Sequence, residues 1–207
     1  MSSRVKKPSL TVSNLFKNQS DRILRKMLSD TKRGWISPEM AKELEVSPAW
    51  AARMLASLEF EKFAESRGKK PRGRYFLINT DKLLARWKLS YHIDFNEHHS
   101  YRVVGKDPLK LIANASKKGG FRYAVTGKFA KDLIKGKAST EIPYIYVLPN
   151  KGTKVFLNAL EDELDLIPTQ KNPNLFLLIP YQREGVFEGT RQVAGIFCTS
   201  DLQVELD

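Results

Sequence analysis

At 207 residues, 42% hydrophobic and 28% charged, the chain is long enough for one large domain or two ordinary ones, each with its own core. No apolar run approaches the roughly 18–20 residues that span a bilayer, and the basic start Met1–Lys7 leads into no apolar stretch, so neither a membrane span nor a secretory signal is expected and the cytoplasm is the default. One cysteine, Cys198, excludes an internal disulfide and a cysteine-based zinc cage, while the net charge of +12 is concentrated: residues 1–80 carry 17 Lys/Arg against 8 Asp/Glu, residues 81–207 carry 18 against 15.

In chain order, Met1 to about Pro8 is a polar basic arm without periodicity. Leu10–Phe16 suits either a short helix or an interface segment. A helix is expected from Ser20-Asp21, with Ile23, Leu24, Met27 and Leu28 on one face, ending in the turn Asp30–Gly34. Ser37-Pro38-Glu39 then reads as a cap, a first-turn proline and an acid. Ala41, Leu44 and Val46 give a short helix and its exit, and Ser47-Pro48 opens a second, buried along Ala51, Met54, Leu55 and Leu58. Two short helices so closely joined have the form of a helix-turn-helix. Phe63–Ser66, the glycine-bearing basic tip Arg67–Gly73 and Arg74–Ile78 follow as strand, turn and returning strand. The expected fold class is α+β: an N-terminal winged helix over residues 1–90 and a small α/β domain over 91–207.

Within the second part, Tyr91–Tyr101 reads as a polar linker holding all three histidines. Helices are expected from Asp107-Pro108, over Lys128–Ile134 and over Val155–Leu164. Strands are expected over Phe121–Thr126, Tyr144–Leu148, Leu175–Ile179, Gly195–Cys198 and Leu202–Leu206.

The chemistry-bearing candidates lie at the N-terminal end. Ser47, Ala49, Trp50, Arg53 and Ser57 would form the exposed face of a recognition helix, where Arg53 suits a guanine edge in the major groove. Its alternative is a solvated surface arginine. Trp50 fits either a sugar edge or the core. Arg67, Lys69, Lys70, Arg72 and Arg74 surround Gly68 and Gly73 as a phosphate-gripping tip, and Arg4, Lys6 and Lys7 suit either a minor-groove arm or an ordinary basic terminus. The partner this pattern selects is double-stranded DNA. For His92, His98 and His99, the adjacency of the last pair points those side chains apart, and no metal site is expected. No Walker loop, nucleophile elbow or dinucleotide fingerprint occurs. No cofactor is called for.

Four stretches, Tyr123–Ala130, Tyr144–Val147, Leu178–Tyr181 and Thr199–Asp207, taken in order after the helix-turn-helix, resemble the AbiEi family of type IV toxin–antitoxin regulators. The resemblance implies a bacterial antitoxin-type repressor of its own operon, a nucleotidyltransferase-like toxin as companion, and a C-terminal domain with a reduced nucleotidyltransferase fold. Catalysis of that kind needs a Gly-Ser turn and carboxylates on adjoining strands for two metal ions. Here Lys128 follows Thr126-Gly127, the strand Tyr144–Leu148 has no acid, and Glu205 and Asp207 alternate on the expected last strand. The domain is therefore read as non-catalytic, serving self-association as a homodimer or partner contact. Two alternatives stand beside the DNA-binding regulator: a degenerate nucleotidyltransferase, and an adaptor whose winged helix binds protein.

Overall fold

The computed structural model describes residues 15–16, 20–68, 73–181 and 184–207. Among them the chain is mixed α+β, with eight α-helices, a two-stranded hairpin and a seven-stranded sheet. It divides into two compact units, Met1–Tyr91 and His92–Asp207.

The first unit begins with α1 (Ser20–Ser29), which buries Ile23, Leu24 and Met27 at helical spacing. An Asp21–Arg25 pair on the same helix is buried at 3.2 Å, one turn apart, with the guanidinium 5.2 Å from the Trp87 ring centroid. The Asp30 carboxylate accepts from Lys32 N and Arg33 N and closes the turn after α1. Then come α2 (Ser37–Leu44) and α3 (Pro48–Phe60). Ile36, not Ser37, occupies the cap of α2, without a side-chain bond, so this helix starts on Pro38 and Glu39 alone. Glu45 turns left-handed at its end (φ 54°). Ser47 then caps α3, its hydroxyl accepting from Trp50 N at 3.2 Å.

Strands β1 (Ala64–Arg67) and β2 (Arg74–Leu77) pair antiparallel, from Ala64 opposite Leu77 to Arg67 opposite Arg74. Trp35 adds a bridge to Tyr75 through two backbone bonds of 2.9 and 2.8 Å. Helix α4 (Thr80–Ser90) closes the unit on Leu83 and Trp87.

The second unit holds β3 (Glu97–Arg102), α5 (Pro108–Gly119), β4 (Arg122–Thr126), α6 (Gly127–Ile134), β5 (Tyr144–Leu148), α7 (Thr153–Leu164), β6 (Ile167–Pro168), β7 (Leu175–Ile179), β8 (Arg191–Val193), β9 (Ile196–Cys198) and α8 (Asp201–Leu206). Its sheet runs β6-β3-β7-β5-β4-β9-β8, with β5/β7 and β4/β9 parallel and the other pairs antiparallel. Residues of α5 and α7, among them Ile112, Phe156, Leu157 and Leu160, share the main core with Tyr123, Val125, Ile145, Val147, Leu175 and Leu177. Ala124, Tyr146 and Leu178 point to the opposite face, where Val186 and Phe187 cover them. Cys198, fully buried on β9, pairs with Val125 in the sheet, and burial pushes its thiol up to about 11.

Two further expectations are corrected here. The supposed linker Tyr91–Tyr101 contains β3, which pairs with β7 over five residues. Its partner on the other side, β6, has only two residues, so Glu97 and His98 remain exposed and the strand carries no apolar alternation. The last segment is the helix α8 and not a strand. Ser200 Oγ caps it by accepting from Gln203 N, and Gln203 and Leu206, three apart, are its buried residues. Leu202, Val204 and Leu206 only mimic a period of two.

Gly34 is fixed by close approach. A Cβ there would lie 2.6 Å from Phe76 Cε1, inside the ring's contact surface, while Arg67 covers that ring with its guanidinium carbon 4.7 Å from the centroid. Gly34→Ala must shift the Phe76 ring. The expected cost is about 1–3 kcal/mol, read as a lower denaturant midpoint for the first unit by amide exchange, and a wild-type midpoint would show that the ring moves freely.

Candidate nucleic-acid interface

Helix α3 buries Ala51, Met54, Leu55 and Leu58, as its spacing predicts. Ser47, Pro48, Ala49, Ala52 and Arg53 are exposed, and Trp50 is half-buried, between the two positions its sequence context suggested. The Arg53 guanidinium has no ion-pair or hydrogen-bond partner among the described residues. Ser57 does not belong to this face. It is 1% exposed, and its hydroxyl donates to the Arg53 carbonyl at 2.9 Å, so the helix itself satisfies the group that was expected to face a ligand. The missed signal is position: Ser57 stands directly beside Leu58 on the flank of the apolar stripe.

Of the expected tip cations, Lys69, Lys70 and Arg72 lie outside the described residues, as do Arg4, Lys6 and Lys7 in the N-terminal arm. Arg67 is exposed and pairs with Glu65 on its own strand at 2.5 Å. Arg74 is bound differently. Its Nη1 donates to Gly34 O at 2.8 Å and to Glu39 Oε2 at 2.9 Å, and its Nη2 donates to Glu39 Oε1 at 2.7 Å. Glu39 also lies 3.9 Å from Arg33. Arg33 donates to Glu43 at 2.6 Å and stacks 3.7 Å from the Trp35 centroid. Lys26 of α1 meets the second Glu43 oxygen at 2.9 Å. Lys26, Glu43, Arg33, Glu39 and Arg74 thus alternate in sign across α1, α2 and β2. Hydrogen bonding from Arg74 holds the Glu39 carboxyl below its usual value, and bonding from Lys26 does the same for Glu43.

In the second unit, the carboxylate sought in the sequence as a metal ligand has another task. Asp207 Oδ1 accepts from the Tyr146 hydroxyl at 3.0 Å and from Gln203 Nε2 at 2.8 Å, and its Oδ2 accepts from Thr126 Oγ1. Thr126 Oγ1 lies 3.0 Å from Thr199 Oγ1. Asn96 Nδ2 donates to the Tyr146 hydroxyl at 3.2 Å, and Asn96 Oδ1 accepts from Tyr181 N at 3.0 Å. Glu205 is exposed on the far side of α8. The histidines make local contacts: His92 with Asp94 at 3.0 Å, His98 with Ile93 O at 3.1 Å and His99 with Glu97 at 2.8 Å. Among the described residues no group of three His, Cys, Asp or Glu is set to hold a metal ion, and no helix is long and apolar enough to cross a membrane. Comparison of the chain with protein-family models, curated proteins and solved structures gives no match.

The depressed carboxyls set a sign. Both glutamates have folded values below 4.5, so their contribution is complete above that pH and is lost as pH falls through the folded values. Amide protection in β1 and β2, taken relative to the intrinsic exchange rate at each pH, should therefore fall below about pH 4.5, and the combined Glu39→Gln, Glu43→Gln variant should lose most of that pH dependence. Identical profiles for the two proteins would remove the ion ladder from the hairpin's stability. In the second unit, Asp207→Ala leaves Tyr146, Gln203 and Thr126 without their common acceptor. A loss of about 1–3 kcal/mol is expected, measured by denaturant unfolding of the sheet core.

Proposed function

We propose that the chain is a sequence-specific duplex-DNA-binding regulator whose first unit works as a winged helix. The observation that carries this is the exposed face of α3. Ser47, Ala49 and Arg53 are exposed, the Arg53 guanidinium has no partner among the described residues, and the helix belongs to the part of the chain where Lys and Arg outnumber Asp and Glu by 17 to 8. An α-helix fits the major groove, and an uncommitted arginine on it can donate both ends of its fork to one guanine. Arg67 and the tip cations Lys69, Lys70 and Arg72 would add phosphate contacts, which position the protein without reading sequence.

The second unit supplies partner contact in this proposal, either with a second copy or with a nucleotidyltransferase-like toxin, as the resemblance to AbiEi antitoxins implies. The reduced nucleotidyltransferase fold comes from that resemblance alone, and its non-catalytic reading is supported by β5, which carries no acid, and by the engagement of Asp207 with three donors. The regulator would act in the cytoplasm and repress its own operon.

Binding-site selection with the full chain tests this at one fixed salt concentration. Wild type is expected to enrich a discrete motif. Arg53→Ala should weaken binding to it by about 1–3 kcal/mol, weaken binding to random duplex much less, and relax preference at one base pair. Enrichment of the same motif with the same stringency by both proteins would show that Arg53 does not read bases. No duplex affinity in the wild type would remove the proposal.

A further inference from the structure

We infer that Arg74 is a positioning residue, which fixes the β1–β2 hairpin against the first turn of α2 through Glu39 and leaves the duplex to other cations. Its consequence for DNA binding rests on the function proposed above, while its geometry belongs to the free protein.

Sequence groups Arg74 with the basic tip, but the three bonds of its guanidinium all run inward, two to Glu39 and one to the Gly34 carbonyl. A planar fork matched to a carboxylate fixes orientation as well as distance. The partner is 35 residues away in the chain, so the contact joins two elements. Arg67, by contrast, pairs with Glu65 two residues away on its own strand and covers Phe76 within the same hairpin, so its release breaks no tie to α2. To grip a phosphate, Arg74 would have to turn from Glu39 and Gly34 and release the start of β2. While it stays, the adjacent carboxylate cancels most of the field it would offer to a polyanion.

Two conservative variants separate positioning from phosphate contact. Glu39→Gln removes a negative charge and frees the Arg74 fork. A phosphate-binding Arg74 would then hold duplex more tightly and steepen log K against log salt by about 0.9. A positioning Arg74 predicts the opposite sign: binding weaker by about threefold or more, with the salt slope unchanged. Arg74→Lys keeps the charge and loses the fork. A phosphate contact would survive it, whereas positioning predicts the same weakening as in Glu39→Gln.

Both variants should also speed amide exchange in β1 and β2 of the full chain without DNA, with exchange in the second unit unchanged. Tighter binding by Glu39→Gln, wild-type binding by Arg74→Lys, or unaltered hairpin exchange would each overturn the inference. If the wild-type chain binds no duplex, the functional proposal falls separately, and hairpin exchange alone decides the part played by Arg74.

Discussion

A hairpin of two four-residue strands is too small to hold itself together in water, and that constraint governs the first unit. Every anchor of the hairpin comes from elsewhere in the chain. Trp35 bridges Tyr75 through the backbone, Gly34 admits the Phe76 ring, Glu59 accepts from Ser66 N at 3.0 Å, and Asn79 reaches Lys62 O at 2.8 Å. The ion ladder from Lys26 to Arg74 adds the lateral tie. Each of its pairs is partly exposed and contributes little alone. Five charges in alternation beside the buried Trp35 ring nevertheless set one orientation for three elements. The position of the hairpin beside α3 therefore depends jointly on the turn between α1 and α2, on Glu39 and Glu59, and on the hairpin's own Ser66, Arg74 and Phe76.

The second unit uses a different device. Its main apolar core lies on one face of the sheet, and on the other, beside a smaller apolar cluster, Thr126 at the end of β4, Tyr146 in the middle of β5 and Asn96 before β3 meet α8 and the Tyr181 backbone through a polar network. Tyr146 is fully buried and joins Asn96 to Asp207, so removal of either group costs the buried Tyr146 hydroxyl one of its partners. The stretches Tyr123–Ala130, Tyr144–Val147, Leu178–Tyr181 and Thr199–Asp207 each give a residue to this network: Thr126, Tyr146, Tyr181, and Thr199 with Gln203 and Asp207. Their shared task in this chain is to dock the final helix.

What could be read from sequence was whatever local chemistry marks. Ser47-Pro48 opens α3, Asp107-Pro108 opens α5, and the apolar spacing of α3 picks out its buried side. What could not be read depends on residues far apart or on groups satisfied within their own element. Arg74 looks like its basic neighbours because Glu39 lies 35 positions away. Ser57 looks available because its acceptor is its own helix backbone. Strand β3 hides behind Glu97-His98-His99-Ser100, polar because one side of the strand is scarcely covered. Asn96 gave no signal at all, since its value lies in reaching Tyr146, 50 residues later.

The burial of Cys198 equips the second unit with an internal clock. A thiol held near 11 presents thiolate at about one part in ten thousand at pH 7, and on β9 it is also closed to reagents. Alkylation must therefore wait for the core that packs over Cys198, with Ile112 and Ala113 of α5 among its members, to open. In a chain with one sulfhydryl, the rate at which an electrophile consumes it reports how readily that core opens.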